Sequence, residues 1–357
     1  MFTITAVHQL IKRGHEVELL CYRDSRIHQR ANDEGITTHP VKAKGYFHPF
    51  VSWSIAHIIT EGEFDLIHSQ ASKDLWVLVP AKKLSLTNIP LLLTKQVGSF
   101  IVKKDFLHKF LYRNVNYALA ISEVIRQNLL DTCPLKESQI LLLHNGIDTK
   151  RFNPEHFNRT DARAEFGFTQ DEIIIGMMAR FSQGKGHEEF LKALSILSKR
   201  HSNIRGLIVG EASRGEDAYA ESIKKLTQDL HLSNVVFAGF RKDTERVFSA
   251  MDIFAFPSHS EAFGISLVES MSMGIPSVCS NSDGVLDIAV DGETGYLFQK
   301  QDEVDLADKL EMLIMSPEKR KSFGLKARKR AENYFDLDYL TEKVIAIYNH
   351  VTPSVKK

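Results

Sequence analysis

Short apolar runs alternate with amphipathic segments along the first half of the chain. A helical spacing of apolar residues covers Thr3–Arg13 and ends at Gly14, and the next run, Glu16–Cys21, is typical of a strand. Further strands are predicted at Asp65–His68, Pro90–Thr94, Tyr117–Ile121 and Gln139–Leu143. Strands that alternate with helices in this way indicate a parallel sheet covered on both faces.

The second half repeats the alternation after an irregular segment that contains Pro154. The predicted strands are Ile173–Met178, Ile204–Val209, Val235–Ala238, Ile253–Phe256, Ser277–Cys279 and Gly295–Phe298. The predicted helices are Glu188–Leu197, Tyr219–Leu230, one from Ile265 to Gly274, Glu303–Met315, Phe323–Ala331 and Leu337–His350. The predicted fold class is therefore α/β, with two doubly wound, Rossmann-like domains that face each other across a cleft.

Changes in this pattern set the predicted domain boundaries. Residues 1–150 form the first domain, and residues 151–168, which have no clear period, form the linker. Residues 169–335 form the second domain. Residues 336–357 are predicted to be a C-terminal helix that packs back across the domain junction.

The most informative stretch is 252–280, which is predicted to run as strand, loop, helix and strand. Its loop places Glu261 and Gly264 at the N-terminus of the helix that starts at Ile265, where free backbone N–H groups favour an anion. Glu269 follows about two turns along that helix. This arrangement suits a ligand with a phosphate in the middle and hydroxyl groups at both ends.

A basic, glycine-bearing loop follows the first strand of the second domain. Arg180 stands at the strand end, and Gly184 and Gly186 flank Lys185. An Arg that binds bidentately and a Lys that acts as a point charge suit a diphosphate, although a solvated turn is the plainer interpretation. The spacing is not that of a Walker P-loop.

Other polar and aromatic residues follow the remaining predicted strands, whose carboxyl ends are where parallel sheets bind ligands. They are Gly210, Glu211 and Phe240 in the second domain, and Gln96, Ser122 and Asn145 in the first. Phe240 fits either a base-stacking position or the core. Ser122 fits a plain helix cap equally well, and Asn145 fits a plain turn. Taken together, the strand ends predict a nucleotide-diphosphate sugar as the ligand.

Composition and charge bear on the number of domains, the class of partner and the cellular compartment. The 357 residues are 43% hydrophobic and 25% charged, which is typical of two globular domains. Net charge is zero, but residues 1–150 hold 18 basic and 14 acidic residues, which indicates either an anionic partner or membrane surface, or ordinary scatter. Three scattered cysteines indicate a reducing cytoplasm. No signal peptide or membrane span is recognised, and nucleic acid is not an expected partner.

These residues resemble the retaining glycosyltransferases of family 4, which have the GT-B fold. The second-domain motifs are Arg180…Gly184-Lys185-Gly186, Gly210-Glu211, Asn234-Val235…Phe237…Gly239, Glu261-x7-Glu269 within EAFGISLVESMSMGIP, and Gly292-x-Thr294-Gly295. The first-domain motifs are Arg13-Gly14-His15-Glu16-Val17, Ser122-Glu123 and Asn145-Gly146-Ile147-Asp148. The resemblance covers nearly the whole chain and is most specific in the second domain.

The resemblance implies transfer of a sugar, with retention of configuration, from a nucleotide-diphosphate donor to a glycan or lipid-linked acceptor. It implies no metal and no cofactor, and a role in envelope polysaccharide or lipopolysaccharide synthesis. By matching position, Arg180 and Lys185 would stabilise the leaving phosphate and Glu261 would hold sugar hydroxyls, as the catalytic residues. Donor-binding residues would be Gly210, Glu211, Phe240, Phe263, Gly264, Ile265 and Glu269, the last on the ribose. Gln96, Ser122 and Asn145 would lie on the acceptor side.

Two positions depart from the family pattern. Relatives normally begin with a strand and a Gly-rich loop before this first helix, whereas Met1 falls at or inside the helix. A missing segment of about 15–20 residues is therefore our hypothesis. Many relatives have Thr-x-His where this chain has Thr94-Lys95-Gln96, and the Gln96 amide cannot act as an acid or base.

Residues 102–113 mix basic and apolar positions at helical spacing, which fits either a membrane-surface helix or a buried helix with a basic edge. The expected location is the cytoplasm, with peripheral contact to an anionic inner membrane face as an option. One rival function is a non-catalytic or truncated homologue that binds nucleotide sugar. Another is a sugar-nucleotide epimerase on the same fold. A nicotinamide dehydrogenase is disfavoured because no G-x-G-x-x-G follows a predicted strand.

Overall fold

A computed structural model of the chain describes residues 2–43 and 45–352. The chain divides into two compact units, Met1–His144 with Asp338–Lys357, and Asn145–Leu337. Both units contain parallel strands alternating with helices, which confirms the predicted α/β class.

The first unit follows the predicted alternation closely. Its elements are α1 (Phe2–Ile11), β1 (Leu19–Tyr22), α2 (Arg26–Asp33), β2 (Thr38–Val41), α3 (Pro49–Glu61), β3 (Ile67–Ser69), α4 (Leu75–Leu84), β4 (Leu91–Lys95), α5 (Phe106–Tyr112), β5 (Tyr117–Ala120), α6 (Glu123–Thr132) and β6 (Ile140–Leu142). Strand β4 is buried along its whole length, because both faces of the sheet are covered.

The described strands of the first unit form two parallel sheets rather than one. Strand β1 pairs with β2, and a separate sheet has the order β3-β4-β5-β6. Strand β2 is absent from the predicted elements because its sequence contains His39 and Pro40, which weaken the strand signal. Pro40 is tolerated there because β2 is an edge strand of its small sheet.

The second unit forms a single parallel sheet with helices between its strands. Its elements are α7 (Arg159–Glu165), β7 (Ile173–Met178), α8 (His187–Ser198), β8 (Ile204–Val209), α9 (Asp217–Asp229), β9 (Val235–Gly239), α10 (Thr244–Ser249), β10 (Ile253–Phe256), α11 (Ile265–Ser272), β11 (Ser277–Ser280), β12 (Gly295–Phe298), α12 (Glu303–Ile314) and α13 (Pro317–Tyr334). The strand order is β12-β11-β10-β7-β8-β9.

This strand order places a topological switch point between β7 and β10. The chain runs outward from β7 to β9 on one side and from β10 to β12 on the other. At such a point the loops after the two central strands diverge and leave a crevice, which is where doubly wound sheets bind ligands. The switch point therefore singles out the loops after β7 and β10.

The segment predicted as a linker, residues 151–168, lies inside the second unit and contains α7. Its anchor is Arg163, which is 1% exposed and donates hydrogen bonds to the carbonyl oxygens of Thr169, Gln170 and Glu172. Asp252 accepts a further bond from this guanidinium at 2.5 Å. A buried Arg satisfied in this way leaves no hydrophobic period in the sequence, which is why the helix was not predicted.

The last helix, α14 (Leu337–Val351), belongs to the first unit from Asp338 onward. Asp338 and Glu342 accept hydrogen bonds from Arg13 at 2.9 and 2.5 Å. Further along, the Tyr348 hydroxyl is 2.6 Å from Nδ1 of His68. The helix is thus fixed to α1 and β3. Within the described ranges, no helix is long and apolar enough to cross a bilayer.

Candidate functional site

Backbone hydrogen bonds join the loops that leave the switch point. After β10, the N–H of His259 donates to the carbonyl oxygen of Gly184, in the loop after β7, at 2.8 Å. The N–H of Phe181, in that same loop, donates to the carbonyl oxygen of Glu211, after β8, at 2.9 Å. Three strand-end loops are therefore held as one surface at the carboxyl edge of the sheet.

Two glycines permit the close approach of these loops. Gly186 has φ +82°, and a Cβ atom there would lie 2.3 Å from the carbonyl oxygen of Pro257. At Gly210 a Cβ atom would lie 1.9 Å from the carbonyl oxygen of Ala179. Only glycine fits at either position, because the opposing atoms are backbone and cannot rotate away.

Lys185 and Glu261 form an ion pair between the two central loops. Nζ of Lys185 lies 2.5 Å from Oε1 of Glu261, and the side chains are 21% and 17% exposed. The Glu261 carbonyl oxygen accepts a hydrogen bond from the N–H of Gly284 at 3.0 Å, which fixes its backbone. The structure thus brings together the predicted diphosphate cation and the predicted sugar-binding carboxylate.

Helix α11 begins beside this ion pair. Its N-cap is Gly264, with φ +110°, and the first helical residue is the half-buried Ile265. The hydroxyl of Ser266 donates to the carbonyl oxygen of Met178 at 3.3 Å, which holds the helix start against the end of β7. The first N–H groups of a helix have no intrahelical acceptor, so this helix end offers donors to an anion.

Glu269 occupies a less polar position further along α11. Burial is the main reason that the pKa of Glu269 is raised to about 7; the charge of Arg151 lowers this pKa, and the nearby Glu245 raises it by a smaller amount. Arg151 is itself bound to Glu245 at 2.8 Å. Because that carboxylate competes for the guanidinium, Glu269 is not fully compensated when it is charged.

The remaining predicted donor-side residues divide into exposed and buried groups. Arg180, Glu211 and Phe240 are exposed at strand ends, and Phe240 is 59% exposed, which excludes it from the core in this structure. Phe263, in contrast, is buried, and its ring packs 5.8 Å from that of Phe335. The side chain of Phe263 is a core residue, so only its backbone is left to face a ligand.

The predicted acceptor-side residues do not form one cluster within a single unit. Gln96 is half-buried and directly follows β4 in the first unit, whereas Asn145 belongs to the second unit. Ser122 is fully buried at the N-cap of α6, where its Oγ accepts a hydrogen bond from the N–H of Ile125 at 3.4 Å. The helix-cap interpretation of Ser122 therefore accounts for its position.

Two polar pairs near the strand ends were not predicted. Nε2 of His259 is 2.8 Å from Oε1 of Glu189 on α8, which braces the loop after β10 against the helix after β7. In the first unit, Nε2 of His68 is 2.7 Å from Oγ1 of Thr94. Neither pair follows a sequence motif, because each joins residues that only the fold brings together.

The fold and this edge define the class of protein. Two Rossmann-like units, one with a cation, a carboxylate and a helix N-terminus at its switch point, are the features of a GT-B glycosyltransferase. Among the residues described, no group of three His, Cys, Asp or Glu side chains is arranged to hold a metal.

Comparison with protein families identifies the family. Residues 1–151 match the family described as Glycosyltransferase Family 4, and residues 158–330 match Glycosyl transferases group 1. The chain belongs to glycosyltransferase family 4, as the sequence motifs predicted.

Named relatives are distant. The capsular polysaccharide biosynthesis glycosyltransferase CapM of Staphylococcus aureus is 28% identical over 65% of this chain and 60% of its own length. Spore coat protein SA of Bacillus subtilis is 23% identical over 97% of this chain and 93% of its own. The sulfoquinovosyl transferase SQD2 of Arabidopsis thaliana is 28% identical, and the match spans 48% of its length. The chain thus spans less than two thirds of two of these three relatives.

Solved structures with the same fold align over nearly the whole chain. A glycosyltransferase from Rickettsia africae has a TM-score of 0.89 at 23% identity, covering 99% of this chain and 94% of that one. Anabaena HepE in complex with UDP has a TM-score of 0.84 at 20% identity, covering 97% and 96%. At these identities the likeness establishes the GT-B fold.

Proposed function

We propose that this protein is a retaining, metal-independent transferase that moves a sugar from a nucleotide-diphosphate donor to a glycan or lipid-linked acceptor. The proposal places it in cell-envelope polysaccharide or lipopolysaccharide synthesis, in the cytoplasm or at the inner face of the membrane. It needs no cofactor beyond the donor itself.

The ion pair between Lys185 and Glu261 at the start of α11 carries this proposal. A diphosphate entering beside the helix start would take hydrogen bonds from the ammonium group and from the first N–H groups of α11. The carboxylate of Glu261, released from Lys185, would then accept hydrogen bonds from sugar hydroxyls. One donor molecule with phosphates and hydroxyls replaces both partners of the pair.

The transfer step needs no protein nucleophile, because the acceptor oxygen attacks the anomeric carbon directly. The bond between the sugar anomeric carbon and the phosphate oxygen breaks, and the acceptor oxygen forms a bond to the same face of that carbon. The acceptor proton passes to the departing phosphate oxygen, and Lys185 with the exposed Arg180 stabilises the negative charge that develops there. The products are a glycoside and a nucleoside diphosphate.

The names of relatives support a nucleotide-sugar donor and a role in polysaccharide synthesis. CapM is named for capsular polysaccharide biosynthesis, and HepE has been crystallised with UDP and with UDP-glucose. The three cysteines of this chain are buried and unpaired, which fits a reducing compartment.

Thermal-shift measurements with a panel of nucleotide sugars, followed by a transfer assay with the best donor, test the proposal. Stabilisation by one nucleotide sugar and release of the nucleoside diphosphate on acceptor addition are expected. The anomeric configuration of the product, read by NMR coupling constants, should match that of the donor, and a chelator should leave the rate unchanged.

Other outcomes separate the alternatives. Binding without transfer to any acceptor would assign the chain to a non-catalytic role. Conversion of the nucleotide sugar into an isomer in the absence of acceptor would assign it to an epimerase. Lys192→Ala is a suitable control for loss of a cation, because Lys192 lies on α8 and pairs with Glu303 at 3.3 Å away from the switch point.

Gln96 tests the acceptor side separately. This half-buried amide can hydrogen-bond without exchanging a proton. If the leaving phosphate takes the acceptor proton, Gln96→Ala should raise the KM for acceptor while leaving donor binding unchanged. Loss of donor binding in Gln96→Ala would remove this residue from the acceptor side.

A further inference from the structure

Two segments of the first unit expose an unusual number of large apolar side chains. They are Tyr46, Phe47, Phe50 and Trp53 from the first segment, and Val97, Phe100, Ile101, Val102, Phe106, Leu107 and Phe110 from the second. We call these residues the apolar surface. Four of its rings, those of Phe47, Phe50, Phe100 and Phe106, are more than 80% exposed. Exposed apolar residues in such groups mark interaction sites.

Trp76 joins the two segments. Its ring lies 5.4 Å from that of Tyr46, just before α3, and 5.4 Å from that of His108 on α5. Helix α4, which begins with Leu75 and Trp76, packs against both α3 and α5. The N-terminal ends of α3 and α5 therefore meet at Trp76, so the two segments form one continuous surface.

The exposed rings are additional to the core-facing residues of these helices. Helix α3 buries Ile55, Ala56 and Ile59 on one face and exposes Phe50 and Trp53 on another. Helix α5 buries Leu111 and Tyr112, while Phe106 and Phe110 remain exposed. A helix that only covers a core would present polar residues on its outer face. These helices instead have apolar residues on two faces.

Positive charge accompanies the second segment of the apolar surface. Residues 97–113 contain four basic residues, Lys103, Lys104, Lys109 and Arg113, and one acidic residue, Asp105. Asp105 is occupied, because its carboxylate caps α5 and contacts the ring of His108. Residues 45–60 contain no acidic residue. None of the four basic side chains forms an ion pair with a carboxylate in the described part of the chain.

We infer that the apolar surface docks on an anionic lipid bilayer. Aromatic rings at the level of the lipid headgroups bury their apolar bodies and keep polar atoms wet, and lysines beside them attract anionic headgroups. This combination of exposed rings, basic residues and a missing acidic counterpart fits a bilayer better than a protein, whose interface would supply carboxylates to those lysines.

The docked surface also bears on the acceptor. The second segment starts at Val97, directly after Gln96, so a membrane-bound surface would adjoin the candidate acceptor-side residue. This part of the inference rests on the proposed transferase function and narrows its acceptor to a lipid-linked one. The docking itself stands without that function.

Vesicle co-sedimentation of the full chain tests the docking. The probes are vesicles of phosphatidylcholine alone and of phosphatidylcholine mixed with phosphatidylglycerol. We expect binding to the mixed vesicles, weaker binding to the neutral ones, and release as salt screens the headgroups. The double variant Phe47→Ser/Phe106→Ser should bind about 100-fold more weakly, on the scale of two buried aromatic side chains. Lys104→Glu/Lys109→Glu should bind about 30-fold more weakly.

Matched controls use the second unit. Met315→Ser/Leu325→Ser removes two exposed apolar side chains there, and Lys225→Glu reverses an exposed charge, so both should bind like the wild type. Full binding by the Phe47→Ser/Phe106→Ser variant, or equal wild-type binding to neutral and mixed vesicles, would overturn the inference. A concentration-dependent dimer, lost in that variant and without vesicle binding, would assign the surface to a second copy.

Donor binding separates this inference from the proposed function. The variants of the apolar surface should keep the thermal shift that nucleotide sugar gives the wild type. Vesicle binding by a wild type that no nucleotide sugar stabilises would overturn the transferase proposal and leave the docking intact. Donor-dependent transfer without vesicle binding would overturn the docking and leave the transferase proposal intact.

Discussion

Lys185 and Glu261 stand 76 positions apart in sequence, yet Nζ of Lys185 lies 2.5 Å from Oε1 of Glu261. They meet at the switch point, where the strand order of the second unit's sheet reverses. Both side chains are partly exposed, so the pair contributes little to folding, on the order of 1 kcal/mol or less. In the proposed function, the pair places a cation and a carboxylate together where a nucleotide-diphosphate sugar would contact both.

Removing either partner should therefore affect transfer much more than stability. Lys185→Ala and Glu261→Ala should each lower transfer by about 100-fold or more, because each loses a preorganised contact to the donor. The swapped pair Lys185→Glu/Glu261→Lys should restore the ion pair but not transfer, since the two positions face different parts of the donor. Initial rates at saturating acceptor measure this, and wild-type rates in either single variant would contradict the assigned roles.

Gly186 should tolerate no side chain. Gly186→Ala combines an unfavourable positive φ with a Cβ atom 2.3 Å from a carbonyl oxygen, so we expect it to lose about 3 kcal/mol or more of unfolding free energy. Gly215→Ala is the matched control, because Gly215 has φ +83° against +82° at Gly186 but open space around it. It should lose about 1 kcal/mol.

Urea denaturation of both variants measures the difference. Equal losses would mean that the loop moves away from Pro257 without cost. A variant at Gly186 that is destabilised but still binds nucleotide sugar normally would mean that the close approach serves folding and not the site.

Strands with continuous apolar sequence were predicted to the residue. Ile173–Met178, Ile204–Val209 and Ile253–Phe256 match because interior strands of a parallel sheet are covered on both faces and have unbroken apolar sequences. Helix α7 was not predicted, because its anchor is the buried Arg163, and the carbonyl oxygens that satisfy it are invisible in sequence.

The site was predicted as residue types rather than as contacts. Lys185 and Glu261 were assigned to different parts of one ligand from their own motifs, whereas their ion pair depends on loops that the fold brings together. Phe263 shows the limit of motif reasoning. Phe263 lies inside the family motif, yet its ring packs on Phe335 in the core. Nothing in the local sequence shows whether a Phe ring at this position faces a ligand or the core.

The hydrogen-bonded series Thr94–His68–Tyr348 should stabilise the first unit. Burial lowers the pKa of His68 to about 4, so the ring is neutral and both nitrogens use their partners at 2.7 and 2.6 Å. Tyr348→Phe leaves Nδ1 of His68 without its partner and should cost about 1–2 kcal/mol. Tyr334→Phe, at an exposed ring, should cost much less. Equal unfolding free energies for the two variants would remove the series from the folding energetics.

Glu269 should make stability depend on pH. Its pKa in the folded protein, about 7, is above the ordinary value of 4.5. The folded state therefore holds the proton more tightly than the unfolded chain. Its contribution to stability is complete below pH 4.5 and is lost as the pH rises through 7. Glu269→Gln cannot ionise, so it should match the wild type at low pH and exceed it at pH above 7 by up to about 3 kcal/mol.

Glu311 provides a control of opposite sign. Hydrogen bonds from His201 and Arg200 hold the pKa of Glu311 below its usual value, so Glu311→Gln should lose stability at neutral pH and match the wild type in acid. Chemical denaturation of both variants across this pH range measures the two profiles. If Glu269→Gln instead loses stability at neutral pH, Arg151 must compensate the charge of Glu269 more strongly than burial penalises it. In that case the residue would be ionised before any donor binds.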